Sequence, residues 1–419
     1  MPARGRKLPS MPPSRTTRRH AAARPQTDRL WSRHDKAWRE PSQAATLWGK
    51  ADETDTRLLA FRTYGRWWET LHERQITLIV TREYEHLVVA MTATNAGPLV
   101  TFMPLPHPSG IAVNRVGGGT YIASTRNPNQ VFEFKPVASA SVAEDAARDT
   151  GGRLLPVRSW LYPGRLYLHD LAIIRGVLHA NSVGQNAVVR LADHGGAPIA
   201  WWPRCIEGAD GPAFGRNHIQ LNSIAAGGSL ETSFFSASGE TIGRLRPGHA
   251  RYPVRRRGVI LSGLTREPVI RGLTRPHSAR LDDQTLWIAN SGYGELCVCD
   301  PARASCAAVA RPGGWTRGLC FKDGVAFVGT SRVIPRFRQY APGLEPGRSV
   351  CGVHAIDARS GSVLGGLVWP EGNQVFAVDW IERQRAGGLP FLASRRRPTN
   401  AERDLFYDIQ IEPLRTERP

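Results

Sequence analysis

The chain has 419 residues, 41% of them hydrophobic and 22% charged, which is ordinary globular usage at a length that exceeds one small core. No run of about 18 apolar residues occurs, so the sequence offers no membrane-spanning helix. The formal charge of +19 is uneven: residues 1–39 hold eleven Lys/Arg against Asp28 and Asp35, and arginine outnumbers lysine 50 to 5. No basic run with base-reading or aromatic partners follows, so nucleic acid is not an expected partner.

In chain order, residues 1–45 read as a disordered, basic, Pro-rich arm. Arg18 and Arg19 are not followed by an apolar stretch, so no export signal is read and the cytoplasm is the expected compartment of this bacterial-type chain. Residues 46–75 read as a short helical lead-in, with Phe61–Glu73 made amphipathic by Trp67, Trp68 and Leu71. Residues 76–415 read as β throughout, in short apolar runs punctuated by Gly, Pro, Asn and Asp. The six cysteines form no C-x-x-C pair and are read as reduced, buried thiols.

The β runs resemble one another. Each unit opens on a polar residue, continues as a short apolar strand, turns, and ends a second strand in small hydroxyl or amide residues. His107–Val113 leads to Tyr121–Arg126, His169–Ile174 to Val177–Ser182, and Gln220–Ala225 to Thr232–Ser236. His277–Leu281 leads to Leu286–Ser291, Thr316–Phe321 to Val325–Ser331, and Phe376–Trp380 to Leu389–Leu392. Thr77–Thr81 with Leu87–Ala90 makes a further pair. Third strands follow in places, as at Leu296–Asp300 and Val353–Asp357. Units of this size, none able to bury both faces alone, predict an all-β fold: a β-propeller of six or seven blades, with seven favoured.

The segments Leu168–Ala172 (LHDLA), Arg275–Arg280 (RPHSAR), Ala289–Glu295 (ANSGYGE), Arg317–Leu319 (RGL) and Cys351–Val353 (CGV) resemble a bacterial family of uncharacterised propeller-like proteins. The resemblance covers roughly residues 60–395 and implies the fold and the place of a site, with no reaction attached. The family's His-Leu-Asn-Gly string is replaced here by Gln220–Ser223, with His218 two positions away.

In a propeller the first strand of each blade lines the central channel, so its start and the loop after the second strand meet at one mouth. His107, His169, Asp170, Gln220, Asn222, His277, Ser278, Arg317 and Gln374 stand at strand starts. Arg126, Asn181, Ser182, Asn290, Ser291, Glu295 and Arg332 follow second strands. His169 and His277 are the expected ligands of a divalent transition metal, or else acid/base groups near neutral pH. Asp170 would orient an imidazole and Arg317 would clamp an anion. Asn181, Gln220, Asn222, Ser278, Asn290, Ser291, Glu295 and Arg332 are the expected substrate contacts.

Blander readings accompany these. A strand-start histidine can tie one blade to the next. Asn290–Gly292 suits a tight turn, and Arg317 could pair with Asp300 or Asp357. No phosphate loop, H-E-x-x-H helix or nucleophile elbow occurs. Two functions remain: a metal- or His-assisted hydrolase, lyase or isomerase acting on a small polar or anionic molecule, and a non-catalytic propeller that binds a peptide, glycan or partner protein. Trp201, Trp202 and Trp315 would serve the second if they were exposed.

Overall fold

In the computed structural model, residues 41–116, 118–125, 129–137, 149–192 and 195–406 are described. Six of the seven predicted pairs of runs are adjacent antiparallel strands, because the apolar stretches are short and broken by turn residues; the seventh, Phe376–Trp380 with Leu389–Leu392, falls on opposite edges of one sheet. Third and fourth strands complete six sheets of four or five strands. The innermost strands of these sheets pack side by side in a closed ring. The fold is a six-bladed β-propeller.

Blade 1 runs inner to outer through Ala377–Glu382, Ile76–Arg82, Leu87–Thr94, Gly97–Pro104 and Phe391–Leu392. Blade 2 comprises Pro108–Val113, Thr120–Ser124, Asn129–Val137 and Gly152–Tyr162, with Ala386–Gly388 added in parallel at its edge. Blade 3 comprises Leu168–Ile174, Val177–Ser182, Ala187–Arg190 and Ile199–Trp201. Blade 4 has Leu221–Ala225, Phe234–Ala237, Gly258–Ser262 and Pro268–Leu273. Blade 5 has Pro276–Asp282, Thr285–Asn290, Glu295–Asp300 and Ser305–Ala310. Blade 6 has Trp315–Lys322, Val325–Ser331, Gly352–Asp357, Val363–Val368 and, outermost, Arg62–Gly65.

The preference for seven blades is therefore corrected to six. Two of the predicted units, Thr77–Ala90 and Phe376–Leu392, are halves of one blade: Thr81 pairs with Ala377 and Ile76 with Glu382. This closure joins the two ends of the ring and leaves no open inner edge. The lead-in is also divided. Arg62–Gly65 is an edge strand of blade 6, and the helix is shorter than expected, Trp67–Glu73, with Trp67 and Leu71 buried against the ring. A second helix, Pro41–Asp52, begins where the arm was expected to end; residues 1–40 lie outside the described set.

Trp67 meets Phe327 edge-on at 6.2 Å and shares one large apolar cluster with residues of blades 1, 2 and 6. Smaller clusters fill the spaces between the other blades. The cysteine reading is corrected at one pair. Cys299 and Cys306 face each other on the outer strands of blade 5 and are joined as a disulfide, while Cys205, Cys297, Cys320 and Cys351 are free thiols.

Two backbone devices shape the mouth at which the inner strands begin. The residue just before the inner strand is left-handed in four successive blades: His107 (φ 42°), Tyr167 (57°), Gln220 (52°) and Arg275 (52°). Such angles are uncommon outside glycine, and their recurrence at one repeat position makes them part of the blade design. A register shift follows between Pro108 and Ile111, Leu221 and Ser223, His277 and Arg280, and Thr316 and Leu319. These bulges re-aim the first side chains of the strand. In blade 6 the bulge needs Gly318 (φ 84°), where an added Cβ would lie 2.8 Å from the Val378 side chain.

Candidate active site at the channel mouth

The strand starts enclose a cavity of about 530 Å³. His169, Gln220, His277, Arg317 and Gln374 line it, as the repeat positions implied. The second-to-third-strand loops add Glu83 and Tyr84 from blade 1, Thr125 from blade 2 and Val183 with Gly184 from blade 3. Blades 4 and 6 carry longer excursions there, residues 238–257 and 332–351, which bring Arg246, Gly248, Phe337 and Tyr340 to the rim. These excursions are tied together, since the Tyr340 hydroxyl donates to the Gly248 carbonyl at 3.0 Å.

One wall is aromatic. Trp315, at the start of the inner strand of blade 6, lies 5.9 Å from Phe337 and 6.4 Å from Tyr340, and Tyr84 stacks on Phe337 at 6.1 Å. Trp201, by contrast, is buried against Phe235.

Arg317 is buried at the base of the cavity, with its guanidinium over the Phe376 ring. With the Gln374 amide oriented to satisfy its neighbours, its oxygen accepts from Arg317 Nη1 at 3.2 Å and its nitrogen donates to Glu83 at 3.1 Å. Arg317 Nη2 has no partner. Burial lowers this guanidinium to about 10, against the opposing pull of Glu83. Neither ion pair weighed for it forms: Asp300 pairs with Arg303, and Asp357 caps the turn at Ser360.

His277 Nδ1 lies 2.9 Å from the Arg275 carbonyl and 3.1 Å from Ser291 Oγ. A carbonyl can only accept, so Nδ1 carries the proton and Nε2 keeps its lone pair. The Ser291 hydroxyl is spent on the Thr316 carbonyl at 2.6 Å, so it sits behind the imidazole as an acceptor. His169 is the opposite case: its Nδ1 is buried without a partner, while a hydrogen bond to the Asn222 backbone occupies the ring's other side. Burial, reinforced by Arg317, holds both imidazoles well below the usual histidine range. At neutral pH both are uncharged bases.

Asp170 does not orient either histidine. Successive strand residues point to opposite faces, and the Asp170 carboxylate accepts from Arg280 at 2.7 and 3.0 Å and from the Ile224 amide at 3.0 Å. Arg280 lines a second cavity of about 320 Å³ together with Arg115, Asp379 and Trp380, so this pair crosses the channel beyond the mouth.

Most other expected substrate contacts are struts and not cavity residues. Ser278 Oγ accepts from the Gly318 amide, and Asn222 donates to the Pro276 carbonyl. Asn290 accepts from the Thr274 amide and donates to Glu295, whose carboxylate also meets Arg311. Arg332 turns to the Pro370 carbonyl. Asn181 is fully buried with neither amide atom partnered, and it does not line the cavity. His107 meets His86 edge-on beside Glu83, and His218 stands outside the cavity lining. Arg126 lies outside the described residues.

The lining residues that the sequence reading missed are Tyr167 and Arg275, each two positions before a chosen histidine, and Glu83, Tyr84, Arg165, Arg246, Phe337 and Tyr340 from loops; Trp315, read as a binding residue only if exposed, lines the cavity while 7% exposed. The i, i+2 periodicity of a strand could have found the first two. Nothing local marks the loop residues.

Among the described residues no group of three His, Cys, Asp or Glu is placed to hold a metal. The donor set suits a dication poorly: two imidazoles flanked by the cation of Arg317, without a carboxylate bonded to either.

Fold and site together define a six-bladed propeller with a cationic, aromatic-walled cavity at one channel mouth. The chain belongs to the family described as "Domain of unknown function (DUF4915)", whose model matches residues 65–388. No functionally curated protein matches it in sequence. Among solved structures it is similar to a chain of a nidogen/laminin complex, with 8% identity, TM-score 0.49 and coverage of 74% of this chain and 99% of that one. A protein of unknown function from Bacteroides caccae gives 11% identity, TM-score 0.45, and 73% and 99% coverage. A gluconolactonase from Xanthomonas campestris gives 14% identity, TM-score 0.42, and 71% and 86% coverage. No helix among the described residues is long and apolar enough to cross a membrane.

Proposed function

We propose that the mouth cavity is the active site of an enzyme acting on a small organic anion by hydrolysis, elimination or isomerisation. The observation that carries this reading is a buried arginine with a free nitrogen, Arg317, sharing one cavity with the uncharged imidazoles of His169 and His277. Arg317 holds a carboxylate or phosphate group of the substrate, a charge-assisted bond made by a buried guanidinium. His277 Nε2 takes a proton from the substrate or from water, and its Nδ1–H stays anchored on the Arg275 carbonyl so that the ring keeps its aim. His169, with its lone pair on Nδ1, is the second base. Gln220 contacts the bound molecule from blade 4. The cytoplasm stays the proposed compartment, with the four free thiols in its favour and the Cys299–Cys306 disulfide against it.

The test is a ligand screen of carboxylates and phosphate esters by thermal shift, followed by turnover of the binders by NMR. Arg317→Met is expected to weaken binding by about 10- to 100-fold. His169→Gln with His277→Gln is expected to keep binding and lose turnover. A folded double variant with full turnover would overturn the catalytic assignment. The aromatic wall of Tyr84, Trp315, Phe337 and Tyr340 favours a second reading, a propeller that binds its ligand without converting it. Tight binders with no turnover would support that one.

A further inference from the structure

The cavity lining holds four arginines, Arg165, Arg246, Arg275 and Arg317, against the single carboxylate of Glu83. Both histidines are uncharged, so three positive charges stay uncompensated by the lining. Two of the four are not surface groups: Arg275 is 4% exposed and Arg317 6%. Each has a buried nitrogen without a partner, Nε in Arg275 and Nη2 in Arg317. A buried donor left unmade costs free energy that a ligand recovers on binding.

The two guanidiniums are anchored on different elements. Arg275 stands left-handed just before the inner strand of blade 5, lies over the Tyr340 ring at 4.2 Å and donates to the Pro247 carbonyl. Arg317 is held from blade 1, by Gln374 and Phe376. Their counter-charges differ as well. Glu83 faces Arg317, whereas the groups offsetting burial at Arg275 are the phenols of Tyr340 and Tyr252 and no carboxylate.

We propose that the ligand of this cavity is a dianion that presents one anionic group to Arg317 and a second to Arg275, with its body against the aromatic wall. This rests on the anion-binding reading above and narrows its substrate class. A single carboxylate at Arg317 leaves Arg275 buried and uncompensated, whereas a second anionic group satisfies both fixed cations without moving either. Exposed Arg165 and Arg246 at the rim raise the local concentration of such a ligand.

The experiment is calorimetric titration of the full chain with dicarboxylates from malonate to adipate, phenyl phosphate, and monocarboxylates of matching length. In the unaltered protein the best dianion is expected to bind at least about tenfold tighter than its matched monoanion. Arg275→Met is expected to bring that ratio near one by weakening the dianion at least about tenfold more than the monoanion. Arg275→Lys, which keeps the charge, restores part of the ratio and covers the case in which the methionine variant does not fold. A ratio near one in the unaltered protein overturns the proposal, as does a ratio that Arg275→Met leaves unchanged. Phenyl phosphate binding that is tightest of all and indifferent to Arg275 also overturns it, because both charges then sit at Arg317. If no anion of either charge binds, the active-site reading itself fails. If anions bind without charge discrimination, only the dianion assignment falls.

Discussion

The Arg317 guanidinium carbon lies 3.3 Å from the centroid of the Phe376 ring, just before the strand that closes the propeller. The contact pins a buried cation that has no carboxylate bonded to it directly. Removing that cation should separate binding from folding. Arg317→Met is expected to weaken anion binding by about 10- to 100-fold, the range of one charge-assisted hydrogen bond. The melting temperature without ligand should hardly fall, because a desolvated charge is lost along with the contact. Calorimetric titration beside a thermal melt checks both; a collapsed melting transition would make Arg317 a structural residue.

His277 should set the acid side of any pH–rate profile. A base acts when deprotonated, and burial keeps this imidazole neutral well below the usual histidine range. The acid limb of kcat/KM is therefore expected below pH 6.5, the ordinary histidine value. A bound anion stabilises the imidazolium, so the limb of kcat should lie at higher pH than that of kcat/KM. His277→Gln should lower kcat by about 10²- to 10⁴-fold.

Asp170 is expected to matter for stability and not for chemistry. Its carboxylate and the Arg280 guanidinium form a two-point pair, both largely out of solvent. Asp170→Asn leaves Arg280 buried without its counter-charge, which should cost about 3–5 kcal/mol. Replacing both partners, as in Asp170→Asn with Arg280→Met, should recover part of that loss. Urea unfolding of Asp170→Asn, Arg280→Met and the double variant beside the unaltered protein measures the coupling.

His354 predicts acid sensitivity away from the site. It is buried between Tyr64, whose hydroxyl lies 2.6 Å from Nδ1, and Thr330, 2.9 Å from Nε2. Burial pushes the imidazole down to about 4. The unfolded chain takes up this proton near pH 6.5, while the folded chain resists until about pH 4. Stability is therefore intact above pH 6.5 and lost as the pH falls, by up to about 3 kcal/mol from this group. His354→Gln should be less stable at pH 7 and lose less on acidification. Unfolding curves at pH 7, 5.5 and 4 would show the gap closing.

Much of the blade pattern was legible because it is local. The paired runs from His107 to Ser331 each became the first two strands of a blade. The closing strand was not recognised as such, since Ala377–Glu382 finds its partner about 300 residues away and no neighbouring residue signals it. At the site, His169, Gln220, His277, Arg317 and Gln374 followed from repeat position alone. Asp170 and Ser278 were misplaced through adjacency to a histidine, since the next residue on a strand faces the other way. Phe337, Tyr340 and Arg246 were invisible for a different reason: they ride on long excursions whose path over the mouth depends on tertiary contacts.

The closure of blade 1 also fixes the order in which the protein can become competent. Gln374 and Phe376, which seat Arg317, belong to the segment that completes the ring, so they arrive only after nearly the whole propeller has been made. A nascent chain with five finished blades already carries His169, His277 and Arg317, yet lacks the Gln374 and Phe376 that seat the guanidinium. On the proposed reading, chains truncated before residue 374 are expected to bind no anion however well their earlier blades have formed.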